Sequence, residues 1–308
     1  MDTPEKTVVV MGATGLQGRA VTARLLADGW RVRALTRDPG SAAARALAQT
    51  GAQLVRGDMD DVASLITAAR GAHGMFSVQP TVGSPGTAPD FTADDEVRWG
   101  VNVARAAHAE GVPHLVYSSV AGAGRHGSEV LPQNLVSKAR IEQHIATLGL
   151  PATILRPVSF MENYTGGYHL HEGTVTTAFE PNVPQQIIAV DDVGSFAALA
   201  FARPQEWIGR AIDLAGDELT PVQITKAISE AIGAALPYVQ VPIEAIRHVG
   251  EEFAFAYEWL NERGYRADLS AVRRIHPGLM DLRTWLERTG ASQISAFLTA
   301  QRAGTQDM

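Results

Sequence analysis

Apolar residues in the first half of the chain follow two alternating rhythms. Short Val-, Leu- and Met-containing runs at residues 7–11, 31–36, 53–55 and 74–78 are too brief for helices and read as strands. Between them lie Ala- and Leu-rich stretches at residues 16–28, 42–49 and 62–70, with the spacing of helices. That alternation predicts βαβ units on a parallel sheet. It resumes after a Pro-, Gly- and Thr-rich loop over residues 80–89, with a helix at 92–110, a strand at 114–119, a helix at 135–148 and a strand at 152–157. Six strands in this order make a complete doubly wound sheet of the dinucleotide-binding, Rossmann type.

After Pro157 the rhythm breaks into "SFMENYTGGYHLHEGTVTTAFEPNVPQQ", where strand and helix signals are short and turn residues frequent, and it returns with "IIAVDDVGSFAALAFA". The expected organisation is α/β throughout. A Rossmann domain spans residues 1–156 with a returning segment at about 185–204, and a smaller mixed α/β substrate domain comprises 157–184 and 205–308. In that second part Thr220 is placed to cap a helix with Pro221 at its first position, running to about residue 234. A long helix at 243–261 and two more at 282–288 and 292–302 complete the reading, with fraying expected at the end.

Composition narrows the function. A formal net charge of −7 over 308 residues, with no long basic run, lacks the electrostatic footprint of a nucleic-acid binder. The absence of cysteine excludes disulfides, thiolate metal sites and a cysteine nucleophile. "MDTPEKTVVVMG" is unlike a signal peptide and no apolar run is long enough to span a bilayer, so a cytoplasmic protein acting on a small molecule is expected.

The chemistry begins at "VVVMGATGLQGRA", where Gly12, Gly15 and Gly18 recur at every third position between a predicted strand and a predicted helix. Gly12 permits a tight turn, Gly15 lets backbone approach a pyrophosphate, and Gly18 lets the helix pack closely with its N–H groups toward the anion. The next strand ends in "RALTRDP". An NAD site wants a carboxylate there and an NADP site a cation, so Thr36 and Arg37 favour NADP(H), with Asp38 read as a turn residue before Pro39. Asp58 and Met59, after the third strand, suit an adenine neighbour; the alternative for Asp58 is a helix N-cap.

The chain resembles the atypical short-chain dehydrogenase/reductases, and within them the NmrA-like branch. The likeness rests on "GATGLQG", "ALTRDP", "GD" (Gly57, Asp58), "HLVYSSVAGAG", "SKARIEQHI", "LRPVSFMEN" and "AVDDVG", and is vague after about residue 215. The resemblance implies NADP(H) across the strand ends under a small C-terminal domain. It brings to the cofactor Thr14, Leu16 and Gln17 of the glycine turn, Phe76, Val78 and Gln79 after the fourth strand, and Ser118. Lys138 is implied at the nicotinamide ribose, and Pro157, Phe160 and Asn163 near the nicotinamide and substrate; packing between domains is the alternative for Phe160 and Met161.

One departure matters. The wider family uses Tyr-x-x-x-Lys, whose phenol passes a proton, but four residues before Lys138 stands Asn134, and an amide is no acid at neutral pH. The catalytic serine is equally in question, because Ser118 and Ser119 are present while Val120 falls at its usual place. Either another acid serves, with Tyr164, Tyr168, His169 and His171 as candidates, or the acceptor needs none. Hydride addition to a quinone gives a phenolate-type anion whose conjugate acid has a pKa of about 10, so water can complete the reaction. The expected function is NADPH-dependent reduction of a small quinone, enone or activated carbonyl. The alternative is an NADP(H) sensor acting through a protein partner, and a homodimer is left open. "HLHE" lacks a third ligand, so no metal is expected. The glycine-rich stretch 120–129 reads as a mobile loop over the cleft, and Phe179, Phe253, Phe255, Tyr257 and Trp259 as core or an apolar pocket.

Overall fold

A computed structural model describes residues 6–83 and 87–306; part of the loop over 80–89 and the expected C-terminal fraying lie outside the described residues. The first half reads as β1 (Thr7–Val10), α1 (Leu16–Ala27), β2 (Arg31–Thr36), α2 (Ala42–Gln49), β3 (Gln53–Arg56), α3 (Val62–Ala69), β4 (Gly74–Ser77), α4 (Ala93–Ala109), β5 (Leu115–Ser118), α5 (Gln133–Thr147) and β6 (Ala152–Pro157). Local chemistry sets several of these boundaries. The Ser41 hydroxyl accepts from the Ala44 N–H to open α2, Asp61 does the same for α3, and Thr92 with Asp95 forms a reciprocal capping box on α4.

The chain continues through β7 (Ser159–Phe160), β8 (Leu170–His171), β9 (Thr174–Thr177), β10 (Gln185–Ile188), α6 (Val190–Ala202), α7 (Pro204–Trp207), β11 (Ala211–Leu214), β12 (Asp217–Leu219), α8 (Pro221–Ile232) and β13 (Tyr238–Gln240). Helices α9 (Ile243–Val249), α10 (Glu251–Glu262), α11 (Leu269–Ile275), α12 (Leu282–Trp285) and α13 (Ala291–Gln306) end it.

The central sheet has the order β11-β6-β5-β4-β1-β2-β3, with β1 to β6 parallel. The strand order reverses between β1 and β4, which is where a doubly wound sheet opens a crevice at its carboxyl ends. Val9, Leu65, Met75, Leu115, Tyr117 and Ile141 fill the core on one face. Helices α4 and α5 approach closely there, because a Cβ at Gly100 would meet Ile141 Cδ1 at 2.5 Å.

The chain divides into two compact units. The first comprises Met1–Glu129, Gln133–Arg156 and Asp191–Ile212; the second comprises Val130–Pro132, Pro157–Val190 and Asp213–Met308. The return to the Rossmann unit therefore starts at Asp191 and not at 185, because β10 pairs with β7 and β12 instead of with the central sheet. It also runs on to Ile212, beyond the expected 204.

The second unit has two three-stranded sheets, β12-β10-β7 and β13-β9-β8. Its core gathers Met161, Tyr164, Leu170, Ile224, Trp285 and Leu298. Helix α8 opens with the Thr220–Gln223 capping box and Pro221, and ends at Gly233 with φ +67°, a left-handed value suited to glycine. The long helix expected at 243–261 is two helices, α9 and α10, separated at Gly250. The two expected near the end run together, since a π-helical turn at Leu286–Gly290 joins α12 to α13.

Candidate functional site

The glycine turn is built as its spacing requires. Gly12 has φ +59°, and its carbonyl accepts from the Gly15 N–H at 2.9 Å. A Cβ at Gly18 would run into the Gly12 carbonyl, and one at Gly12 would lie 3.0 Å from Val78 Cγ1. Gly15 is different: it is exposed, and a Cβ there would meet only the Gly12 carbonyl at 3.3 Å. Internal packing explains Gly12 and Gly18, whereas bare backbone at Gly15 leaves room on the solvent side for a ligand. Helix α1 starts at this turn with no side-chain cap and no acid in its first turn, so its positive end is open to an anion. Thr14 and Gln17 are half-buried here, and Leu16 is 50% exposed, unusual for a leucine at the head of a helix.

At the end of β2 Asp38 takes the turn position expected of it. Its Oδ1 accepts from the Gly40 N–H at 2.8 Å and its carbonyl accepts from the Ser41 hydroxyl at 2.9 Å, so Asp38 holds the turn into α2. Thr36 donates to the Asp38 carbonyl at 3.3 Å. Arg37 is exposed and makes no hydrogen bond or ion pair among the described residues. A guanidinium stands at the decisive place with its donors available.

After β3, the N-cap of α3 is Asp61 and not Asp58; among the described residues the Asp58 carboxylate accepts only from the Asp60 N–H, at 3.0 Å. Met59 is half-buried, and its Sδ lies 3.7 Å from Gln79 Nε2. Gln79, 3% exposed, donates to the Ser77 hydroxyl at 3.0 Å, while its Oε1 is buried with no partner. An orphaned acceptor costs about 1–3 kcal/mol unless a donor meets it. A nucleotide's ribose or base supplies such donors, so the residues present fit the group. Phe76, implied as a cofactor neighbour, is fully buried in β4 and belongs to the sheet core.

The ends of β5 and β6 hold two polar networks that sequence reading missed. The Ser118 hydroxyl donates to Gln17 Oε1 at 2.6 Å, tying the glycine turn to β5. Ser119 donates to Glu142 Oε1 at 2.5 Å, and the Arg156 guanidinium donates to both Glu142 oxygens. Ser119 is therefore held and does not fill the role of a free catalytic hydroxyl. Stretch 120–129, read as a mobile loop, contains a helical turn at Ala123–Arg125, and Gly124 packs directly on the Arg156 guanidinium.

Lys138 is engaged within the protein. Its Nζ lies 2.5 Å from Glu96 Oε1, with Glu96 completely buried and Lys138 7% exposed; the other Glu96 oxygen accepts from Ser137 at 2.7 Å. The ammonium is engaged inside the α4–α5 packing. The Tyr117 phenol is buried without a partner, and burial together with Glu96 and Glu142 pushes its pKa well above the usual phenol value. The residue that carries this arrangement, Glu96, sits 42 positions before Lys138 and announces itself only as an acid in the first turn of a helix.

In the second unit Pro157 is buried at the end of β6, and Phe160 is half-buried in β7, paired with Ile188. The Asn163 carbonyl accepts from the His169 N–H at 3.1 Å. Tyr164, offered as a proton donor, is 2% exposed, and burial lifts its pKa far above that of a free phenol. His169 is driven the other way, to about 3, by burial, so it carries no imidazolium proton at neutral pH. Tyr168 is also raised by desolvation, and His171 is exposed with Nε2 3.2 Å from the Tyr168 carbonyl. Neither buried candidate, Tyr164 or His169, is tuned as an acid. No cluster of three metal-ligating side chains occurs among the described residues. No helix among them is long and apolar enough to cross a membrane.

A doubly wound sheet carrying this glycine turn defines a Rossmann-fold protein of the dinucleotide-binding kind. Residues 4–299 match the model of the NmrA-like family, and the chain belongs to that family. It is 31% identical over 244 residues to a Streptomyces griseus protein named (4-alkanoyl-5-oxo-2,5-dihydrofuran-3-yl)methyl phosphate reductase, covering 78% of this chain and 79% of that one. Among solved structures it is similar to NmrA, described as a negative transcriptional regulator, in complex with NADP (TM-score 0.76, 23% identity, 96% of this chain and 98% of that one). It is also similar to the NADPH-dependent quinone oxidoreductase QOR2 from Escherichia coli in complex with NADPH (TM-score 0.70, 22% identity, 91% and 98%). At these identities the two structures speak for the fold.

Proposed function

We propose that the protein is an NADPH-dependent reductase of small quinones or doubly activated alkenes. The single observation that carries this reading is the missing acid: Asn134 replaces the phenol, Lys138 is paired with Glu96, and burial detunes Tyr164 and His169. Acceptors that give a stabilised anion fit such a site, and simple ketones, whose alkoxides are far more basic, do not.

In this reading the Gly12, Thr14, Gly15, Leu16, Gln17 and Gly18 turn receives the pyrophosphate and Arg37 with Thr36 the 2′-phosphate. Asp58, Met59, Val78 and Gln79 border the adenosine half, Ser118 fixes Gln17, and Pro157 and Phe160 serve the nicotinamide end. Bound nicotinamide supplies the hydride. Lys138 neutralises Glu96 and supplies no proton. The Streptomyces griseus relative supports the acceptor class, because the substrate spelled out in its name has an alkene conjugated to two carbonyls.

A panel assay tests the proposal by following NADPH absorbance with 1,4-naphthoquinone, a conjugated enone, an aldehyde and a simple ketone. Turnover confined to the first two is expected. Equal rates with the aldehyde would show that a general acid exists. Tight NADPH binding without turnover on any acceptor, together with cofactor-dependent capture of a protein partner, would instead favour the sensor reading, which the loss of the phenol accommodates equally.

A further inference from the structure

The turn that follows β3 is shaped by its own residues but placed by another element. Its internal bonds are local: the Asp61 N–H donates to the Asp58 carbonyl, the Asp60 N–H to the Asp58 carboxylate and the Asp58 N–H to the Ser64 hydroxyl, each at 3.0 Å. These bonds curve residues 58–61 onto α3 and leave their place against the rest of the sheet undetermined. Among the described residues, the polar contacts that reach the turn from beyond α3 come from α4 and from Gln79. Asn102 donates from Nδ2 to the Met59 carbonyl at 2.9 Å, across 43 residues of sequence, and Arg98 grips both carboxylate oxygens of Asp60 at 2.7 and 3.3 Å. Gln79 Nε2 meets the Met59 Sδ at 3.7 Å.

The two contacts from α4 differ in weight. Arg98 and Asp60 are each about half exposed, and an ion pair open to water contributes little. Asn102 is only 7% exposed, and it stands on a helix that is itself fixed, by the Thr92–Asp95 capping box at its start and by the Glu96–Lys138 pair and Gly100 against α5. Water does not readily replace an enclosed amide, so this bond is the one that holds the turn. What the turn presents is chemically specific. The Asp58 carboxylate receives one N–H among the described residues, and a carboxylate has room for further donors. Adenine carries such a donor in its exocyclic amino group, whereas hypoxanthine has an oxygen in its place, which a carboxylate repels.

We propose that Asn102 is a positioning residue for the adenine end of the cofactor: by holding the Met59 carbonyl it keeps the 58–61 turn where Asp58 selects a base with an exocyclic amino group over one with an oxygen there. This deepens the proposed function and rests on its assignment of Asp58 and Met59 to the adenosine half. Asn102 acts through Met59, and every residue in the arrangement belongs to the first unit.

The test compares NADPH with reduced nicotinamide hypoxanthine dinucleotide phosphate, in which an oxygen replaces the exocyclic amino group, by fluorescence titration of the full chain. The unaltered protein is expected to favour NADPH by roughly tenfold or more, as a hydrogen bond to a charged group predicts. Asn102→Leu, similar in size and unable to donate, should bring that ratio to within about threefold by weakening NADPH, while the hypoxanthine dinucleotide stays within about twofold. Asn102→Ala repeats the measurement should the leucine variant fail to fold. Equal losses for the two dinucleotides, as a merely structural role would give, or an unchanged ratio in a folded variant overturns the proposal. The two readings separate: an unaltered protein that binds both dinucleotides equally loses this inference and keeps its cofactor, whereas one that binds neither loses both.

Discussion

Lys138 and Glu96 form a buried ion pair, 2.5 Å apart, in which the carboxylate is fully enclosed and also accepts from Ser137. Breaking such a pair from one side leaves an uncompensated charge in the interior. Lys138→Met should therefore destabilise the protein by about 3 kcal/mol or more, and adding Glu96→Gln should restore most of that loss. Urea denaturation of the two variants checks this. The folded double variant should bind NADPH within about threefold of the unaltered protein, since a tenfold change needs about 1.4 kcal/mol that Lys138 does not supply in this account.

In the proposed reading Arg37 carries cofactor choice. Arg37→Ala should weaken NADPH binding by roughly tenfold or more, as expected for losing a charge-assisted contact of about 1.5–3 kcal/mol, and leave NADH nearly unchanged. Arg37→Asp should invert the preference. Because Asp38 is tied into its turn by the Gly40 N–H, it does not substitute as a ribose ligand in either variant. Fluorescence titrations with both nucleotides read the ratio.

The three glycines should separate by mechanism. Gly18→Ala presses a methyl group into the Gly12 carbonyl, so it should lower the melting temperature as well as abolish nucleotide binding. Gly15→Ala meets only a 3.3 Å contact and should cost little stability while still weakening NADPH. Thermal melts alongside titrations distinguish the two.

Stability should fall with acid in a window set by histidine. Burial lowers His114 from the usual 6.5 to about 4 and His169 to about 3, so both are neutral in the folded protein while the unfolded chain takes up protons below about 6.5. Stability is then complete above pH 6.5 and declines toward pH 4, by up to about 1.4 kcal/mol per pH unit for each histidine. His114→Gln should remove one proton's worth of that slope in urea midpoints measured across the window.

How far residues reveal this molecule depends on how locally each feature is encoded. Strands β1 to β6 and their helices are legible because each alternation of period is completed within one element, and Thr92, Thr220 and Pro221 mark helix starts by chemistry that acts over three residues. The second unit hides because β7 and β8 have two residues each, too few to show alternation. Its return point is hidden because the apolar Ile187–Ile188 pair runs straight on into α6, while the strand it ends pairs with β12 and β7. At the site the glycine turn and Arg37 are visible as motifs. Glu96 and Lys138 come together only across distant elements, so spacing carries no trace of them.

Calorimetric titration of the cofactor-free protein with NADPH and with NADH tests the central claim most directly. The account predicts saturable heat with NADPH, at an affinity at least about tenfold above NADH. No heat with NADPH or NADP+, or equal affinity for the two reduced nucleotides, would contradict it.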